Sequence, residues 1–487
     1  NKKEKTMFPQ KGQSAASLLQ QLEAKKSNDI PWKSGKTFAF IYDAGSEAMD
    51  LVHKAYDSFL TENALDPTAF PSILEMEKEV VGMAASLVHA PTGAGGTFTS
   101  GGTESVMLMV KALRGYLRKE KPAITKPEII LPETAHSCFY KACDYFDFTP
   151  VSVKVNPDTF LPNPADMEAA ITNNTVLMVC SAPSYAHGVI DPVSEIAAIA
   201  QKHKLFCHVD ACVGGFYLPF AKSLSLKGGN FNIPDFDFSV SGVTSMSMDL
   251  HKFGYAAKGA SIILYRDGNF KKHQIFACAT WSGYSVVNPT ITSSRSGGPV
   301  AAAWAVLNFL GQEGYENLVG KTLSASKKLI AGLEKIEGIK VLGKPAMNLI
   351  AFSAKDFNIF PLMEEMKERG WYLQAQLAYQ CSPANLHLTI GQNNIPFIDE
   401  LLSDLEACVK NLRANPPKTD ADGLPAEILL LLENITPEIF AEVSKMLGAS
   451  EGDMPDRMDT INTLLNQLSA QAREKILIEF VNKLSAI

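Results

Sequence analysis

TVLMVCSAPSYAHGVIDPVSEIAAIAQKHKLFCHVDAC, residues 175–212, decides the fold. It opens and closes on short apolar runs, TVLMVCSAP and KLFCHVDAC, and between them Val193 to Lys202 repeats its apolar residues at helical spacing. Strands that are apolar on both faces and joined through a helix belong to a parallel sheet covered by helices. The same texture precedes this unit in EIILPE (128–133) and VSVKVN (151–156). It follows in DFSVSGVTSMSMDLHK (237–252) and KGASIILYRD (258–267), which read as two further strands with a loop between them. The pattern predicts an α/β domain whose ligand side is the carboxyl edge of the strands.

Outward from that unit the chain changes character twice. Ahead of it, Met49 to Ser58 and Ile73 to Val88 carry helix-period apolar residues, separated by the proline-broken TENALDPTAFPS. Behind it come helix (SASKKLIAGLEKIEG), strand (IKVLG, NLIAFSAK), helix (FPLMEEMKERG), strand (LHLTI) and helix (IDELLSDLEACVKNLR), an α+β texture. ANPPKTDADGLP, residues 414–425, reads as a linker, and LLLLENITPEIFAEVSKML and AREKILIEFVNKLSAI beyond it read as amphipathic helices. The expected division is a helical or extended segment over 1–75, a large α/β domain over 76–320, a small α+β domain over 321–415 and a helical appendage over 416–487. The appendage has three places to bury its apolar faces: the main body, a partner subunit or a membrane surface.

With 487 residues the chain exceeds one ordinary core. A formal net charge of −7 without a long Lys/Arg run excludes the electrostatic footprint of a nucleic-acid binder. The eight cysteines form no CxxC pair and no dense framework, so they read as reduced thiols of a cytoplasmic protein. No run approaches the ~18 apolar residues of a transmembrane anchor. The basic start enters a polar helical stretch and not an apolar signal core, so a soluble protein is expected. None of the nine histidines forms an HExxH or short HxH pair, which argues against a zinc hydrolase.

Four features carry chemistry. Lys252, in the loop after TSMSM, would stand at the mouth of the sheet, where desolvation disfavours the ammonium and leaves a nucleophilic amine; Schiff-base chemistry is its use. TFTSGGTESVMLMVKAL is a Gly-Gly turn opening into an amphipathic helix, so the amides at Gly102 and Thr103 would face an anion. The plainer reading is a helix capped by Ser100 or Thr103. Asp210 ends an apolar strand, either facing a ring nitrogen or capping the next helix. His136, in PETAHSCFYKAC, stands between strand and helix, either stacking on a ring or bonding a neighbour.

TSGGTES, TAHSCFYKA, HVDACVGGF and DLHKFGYAAKG together resemble the pyridoxal-phosphate-dependent decarboxylases of fold type I, and within them the sphingosine-1-phosphate lyases. The resemblance spans residues 34–413. It implies that pyridoxal 5'-phosphate is the cofactor, held covalently by Lys252, stacked on by His136 and paired at its ring nitrogen with Asp210. Gly101, Gly102, Thr103, His208 and His251 would complete its site. SSRSGG, with Gly297 and Gly298, resembles the turn that a partner subunit contributes, which implies a homodimer with shared active sites. Lys258 resembles a ligand of the substrate's phosphate, and Tyr42 and Ser294 resemble two further phosphate contacts supplied by the partner. Two positions depart from the lyases: Asp66 in NALDP replaces a histidine, and Leu250 replaces a threonine before His251 and Lys252. The implied reaction cleaves a phosphorylated, lipid-like 2-amino alcohol to a long-chain aldehyde and phosphoethanolamine. The alternative is an amino-acid decarboxylase, which would recruit Tyr284 of WSGYSVVNP.

Overall fold

A computed structural model describes residues 7–416, 432–433 and 457–484. The expected linker at 414–425 falls outside them from residue 417 on, and the expected helix at 429–447 does so apart from residues 432–433. Three helices lead the chain: α1 (Ala15–Lys25), α2 (Ser46–Ser58) and α3 (Pro71–Leu87). There follow β1 (Gly95–Thr99), α4 (Gly102–Glu120), β2 (Glu128–Pro132), α5 (Cys138–Phe146), β3 (Thr149–Val153), α6 (Pro164–Ala169), β4 (Thr175–Ser181), α7 (Val193–Lys202), β5 (Phe206–Asp210), α8 (Leu218–Leu226), β6 (Ser245–Met248) and β7 (Ser261–Tyr265).

These strands make one sheet in the order β1-β7-β6-β5-β4-β2-β3. Neighbouring strands from β3 through β6 pair in parallel, as the alternation of strand and helix requires. All seven residues of β4 are buried, because alternate side chains serve two cores. Met178 and Cys180 join a cluster with α7 and α8, while Leu177 and Val179 join another with α4 and α5. The sheet is mainly parallel, as expected, and β7 is its exception, for it runs antiparallel to both β6 and β1. The cause lies in residues 249–260, which wind into a tight loop and carry no crossover helix to return the chain to the starting edge.

A second, four-stranded antiparallel sheet has the order β10-β11-β13-β12. After the small hairpin β8 (Phe276–Cys278) and β9 (Val286–Asn288), it is built from β10 (Ile339–Val341), β11 (Leu349–Ala354), β12 (Gln374–Gln376) and β13 (Asn385–Thr389). Helices α10 (Phe360–Glu368) and α11 (Ile398–Ala414) cover it. The helix α9 (Gly298–Leu333) runs straight through the boundary expected at 320, broken only at Gly311, where φ is 52°. Its early residues Val300, Ala302 and Val306 pack in the large core and its late residues Leu329 and Leu333 in the small one, so one rod ties the two together.

Strand β13 reads NLHLT, an alternation that ordinarily turns its polar face to water. Here Leu386 and Leu388 enter the small core, yet Asn385, His387 and Thr389 are also buried. They lie against the large domain's loop after β4, where Tyr185 stacks on His387 at 4.5 Å and offers its carbonyl to the His387 ring at 2.9 Å. The helices Met458–Gln467 and Ala470–Leu484 pack on the small domain: Arg473 donates to the Ala378 carbonyl at 2.8 Å, and the Ala378 amide donates to Asn466 at 2.7 Å. The first of them buries Leu464 against the body, while Leu477, Ile478, Val481 and Leu484 of the second stay exposed. Among the described residues no helix is long and apolar enough to cross a membrane.

Leu388→Ala is expected to cost about 2–5 kcal/mol through cavity formation, read as a lower urea midpoint. Acid should destabilise the fold through three buried histidines, His187, His208 and His387, each pushed by burial from the ordinary 6.5 to about 4. Between those values the unfolded chain binds protons that the folded one does not, so their contribution is complete above pH 6.5 and is lost as pH falls toward 4. Asp191, raised by burial from 3.8 to about 7, acts in the opposite sense with one proton against three. Urea titrations at a series of pH values should therefore show a net fall in stability across that window.

Candidate active site

The loop between β6 and β7 delivers the amine. Lys252 is held by a tight fold-back, with the Ala256 amide bonded to the Leu250 carbonyl at 3.0 Å and the Tyr255 amide to the Lys252 carbonyl at 3.0 Å. Tyr255 takes a φ of 57°, a left-handed conformation that surrounding packing must enforce. The Tyr315 hydroxyl of α9 supplies part of that packing, donating to the Gly254 carbonyl at 2.8 Å. Leu250 points away from the site into the main core, so the departure at this position leaves the reactive loop's ligand side untouched.

Lys252 Nζ lies 3.0 Å from Asp249 Oδ2, a carboxylate only 2% exposed. This overturns the expectation of a depressed lysine. Burial pushes the amine down most, but its negative neighbours together, Asp249 foremost, outweigh it and hold Lys252 above the ordinary lysine range. Burial likewise works against ionising Asp249, and its ionised neighbour Lys252, with hydrogen bonds, holds its carboxyl below the ordinary range. Cys212, Tyr42 and Asp210 are also close enough to act on the Lys252 charge. Asp249 is the residue that sequence reasoning passed over. Its only signal was an acid three positions before the lysine, which says nothing of the cavity wall it meets.

The other expected groups converge on the same edge. Helix α4 begins at Gly102 with no side chain capping its first amides, so the plainer reading, a start satisfied by Ser100 or Thr103, does not hold. A Cβ on Gly102 would sit 2.6 Å from Cys212 Sγ and 2.8 Å from an Asp249 oxygen, so only glycine allows this approach. His251 stands over Gly101, its Cε1 3.4 Å from where a Cβ would be. Its Nδ1 accepts the Ala260 amide at 3.2 Å, and burial holds the ring below the ordinary histidine range, which leaves Nε2–H as a donor beside the open amides. Asp210 ends β5 and accepts the Cys212 amide at 3.0 Å, and the exposed ring of His136 receives the Cys138 amide on Nδ1 at 3.2 Å.

His208 differs from its expected role. Its ring is wholly buried one pleat below Asp210, within 2.9 Å of the Ser245 hydroxyl and 3.2 Å of the Ser247 hydroxyl, so it braces β5 against β6 and is closed to a ligand. Tyr42 differs too. Expected from a partner subunit, it lies within this same chain, edge-on to Phe253 at 5.0 Å, with Lys258 Nζ 4.6 Å above its ring. Burial pushes its hydroxyl up to about 12. Tyr185, also missed, donates to Gln374 at 2.6 Å and feels the Lys252 charge.

Four expected positions stand apart, two exposed and two buried. Asp66 is exposed and closes its own turn, accepting the Thr68 amide at 2.8 Å. Ser294 is exposed, and Gly297 and Gly298 pack their bare Cα atoms on Ile73 and Tyr56 of this chain. The two loops that carry these residues adjoin, since the Ala64 amide donates to the Arg295 carbonyl at 2.8 Å.

Known proteins resemble this chain in sequence and fold. A family model, the conserved domain of pyridoxal-dependent decarboxylases, matches residues 1–355. The chain belongs to the pyridoxal-dependent decarboxylase family. A second model, a C-terminal HTH domain of pyridoxal-dependent enzymes, matches residues 421–483. A sphingosine-1-phosphate lyase of Oryza sativa subsp. japonica is 41% identical over 407 residues, 82% of this chain and 73% of that protein. An L-aspartate/L-glutamate decarboxylase of Pyrococcus horikoshii is 32% identical, over 82% of this chain and 98% of that protein. The structure of a sphingosine-1-phosphate lyase from Burkholderia pseudomallei superposes with a TM-score of 0.79 at 34% identity, covering 84% of this chain and 93% of that one. The chain is therefore a lyase of this family and its cofactor is pyridoxal phosphate. The residues fit that group, for the uncapped α4 amides beside a glycine that tolerates no Cβ make an anion cradle, and Lys252, Asp210 and His136 border it.

Gly102→Ala forces its Cβ against Cys212 and Asp249, so it is expected to weaken pyridoxal phosphate binding at least about tenfold, the loss of roughly 1.4 kcal/mol. Absorbance titration of the purified variant against wild type measures this.

Proposed function

We propose that this chain cleaves the carbon–carbon bond between the amine carbon and the hydroxyl carbon of a phosphorylated 2-amino alcohol, releasing a long-chain aldehyde and phosphoethanolamine. The observation that carries the reading is the second cation: Lys258 Nζ rests 4.6 Å above Tyr42 at the mouth of the Lys252 loop, where it supplies a point charge for a dianionic headgroup. The relatives that bear the name sphingosine-1-phosphate lyase support the same substrate class.

Pyridoxal phosphate, when bound, supplies the electron sink that accepts the electrons of the broken bond. The α4 amides and His251 Nε2 would hold its phosphate, His136 would cover its ring, and Asp210 would accept a hydrogen bond from its ring nitrogen and so keep that nitrogen protonated. Lys252 would hold it covalently and, when released, would be placed to carry a proton. Tyr42, with its hydroxyl raised to about 12, is a hydrogen-bond donor at neutral pH. The Lys252 amine, when released neutral, would be placed to take the hydroxyl proton of the substrate.

The active unit in this reading is a homodimer working in the cytoplasm. Phe276, Trp281, Tyr284, Val287 and Ile291, on and around the β8–β9 hairpin, are all exposed, an apolar patch that a second copy would cover. Ser294 and Asp66 lie on neighbouring exposed loops and would face the partner's site. All eight cysteines are free, as in a reducing compartment.

Four experiments test the proposal. Protein loaded with pyridoxal phosphate and given a phosphorylated sphingoid base should release aldehyde, with no activity in Lys252→Ala; carbon dioxide from an amino acid in place of aldehyde would establish the decarboxylase reading. Borohydride reduction of the loaded protein should place the label on residue 252. Light scattering should give twice the chain mass, and mixing inactive Lys252→Ala with inactive Ser294→Trp should restore part of the activity if the site is shared; a monomer mass removes the dimer.

A further inference from the structure

We propose that Asp249 is a positioning residue that sets both the charge and the aim of the Lys252 amine. The inference rests on the reading of Lys252 as the cofactor-bearing residue. Four observations meet at this carboxylate. It is buried, 3% exposed, on the floor of the site at the end of β6. Its Oδ2 receives Lys252 Nζ at 3.0 Å and lies 3.6 Å from His251 Nε2. Its Oδ1 has no hydrogen-bond partner among the described residues. It also touches Gly102, the first residue of α4, where the helix dipole favours negative charge.

A buried carboxylate of this kind is stable only when paired, and Lys252 is its partner. The pairing works in both directions. It keeps the amine protonated and turned to the floor, and it cancels a negative charge that would otherwise repel the cofactor's phosphate from the same helix terminus. The charged and titratable groups facing Lys252 are Asp249, Asp210, Cys212, Tyr42, Tyr185, Lys258 and Cys138, with His251 on the far side of Asp249. Among the described residues, Asp249 is the one of them within hydrogen-bond reach of Nζ, at 3.0 Å.

Condensation with an aldehyde requires the neutral amine. The ammonium lends one proton to Asp249, and the nitrogen adds to the aldehyde carbon. The aldehyde oxygen leaves as water with the two protons remaining on nitrogen, and the proton on Asp249 returns to the nitrogen. Every proton is accounted for, and Asp249 ends as it began.

The test reads the amine in cofactor-free protein, by competitive acetylation of Lys252 with acetic anhydride across a range of pH. Wild type should show a midpoint above the ordinary lysine value of about 10.4. Asp249→Asn, which leaves the amine buried without its counter-charge, should lower that midpoint by about one to three pH units. Asp249→Glu should keep it high while slowing pyridoxal phosphate loading, because the charge is retained and the aim is displaced. An unchanged midpoint in Asp249→Asn overturns the proposal, as does a wild-type midpoint at or below the ordinary value, which needs no variant to fold. A purely structural carboxylate would lower the melting temperature of the variants and leave the midpoint in place. The outcome is separable from the cofactor reading, since the acetylation uses no cofactor and borohydride labelling of wild type tests that reading alone.

Discussion

A charged amine and a carboxylate buried together on the edge of a sheet are the constraint around which the rest of this molecule is arranged. Separating them strands a charge in a medium that cannot solvate it, so Lys252 and Asp249 hold each other as strongly as they hold the loop that carries them. The demand passes outward. The loop must fold back on itself, which places Tyr255 in a left-handed conformation and asks α9 to brace Gly254. Its tightness denies the chain a crossover helix, and β7 consequently returns antiparallel in an otherwise parallel region.

The same pair explains why the neighbouring elements are as bare as they are. Glycine at 102 lets the backbone of α4 come against Asp249 and Cys212, and the helix keeps its amides uncapped for an anion. His251 is kept neutral by burial and is oriented by the Ala260 amide, so one nitrogen is committed to structure and the other to the ligand. Lys258 stands outside this closed set. Its charge lies over the Tyr42 ring at the mouth, a separate provision for a second anionic group.

Much of this was legible in the sequence because it rests on local pattern. Runs such as TVLMVCS announce strands buried on both faces, and the Gly-Gly turn before an amphipathic helix announces an anion site. What stayed hidden depends on the path of the chain through space. The direction of β7 turns on whether residues 249–260 cross the sheet or fold back, and composition does not distinguish these. Asp249 is one acid among many until Gly102 and Cys212 are seen against it. His208 sits in a motif shared by the family, yet its serine partners on β6 lie 37 and 39 residues away and consume its hydrogen bonds. Tyr42 comes from far upstream to meet Phe253, a contact that no periodicity encodes. The β8–β9 hairpin was missed because three-residue strands with mostly exposed side chains leave no alternation to read.

The polar face of β13 has a mechanical consequence. Asn385 Oδ1, His387 Nδ1 and Thr389 Oγ1 have no hydrogen-bond partner among the described residues, and Ser184 Oγ and His187 Nδ1 across the junction share that condition. The junction between the sheets is held by directed polar contacts, Tyr185 to Gln374 and the His387 ring to the Tyr185 carbonyl, which fix the angle between the two layers as well as their distance, and the long helix α9, interrupted at Gly311, is the strut across it.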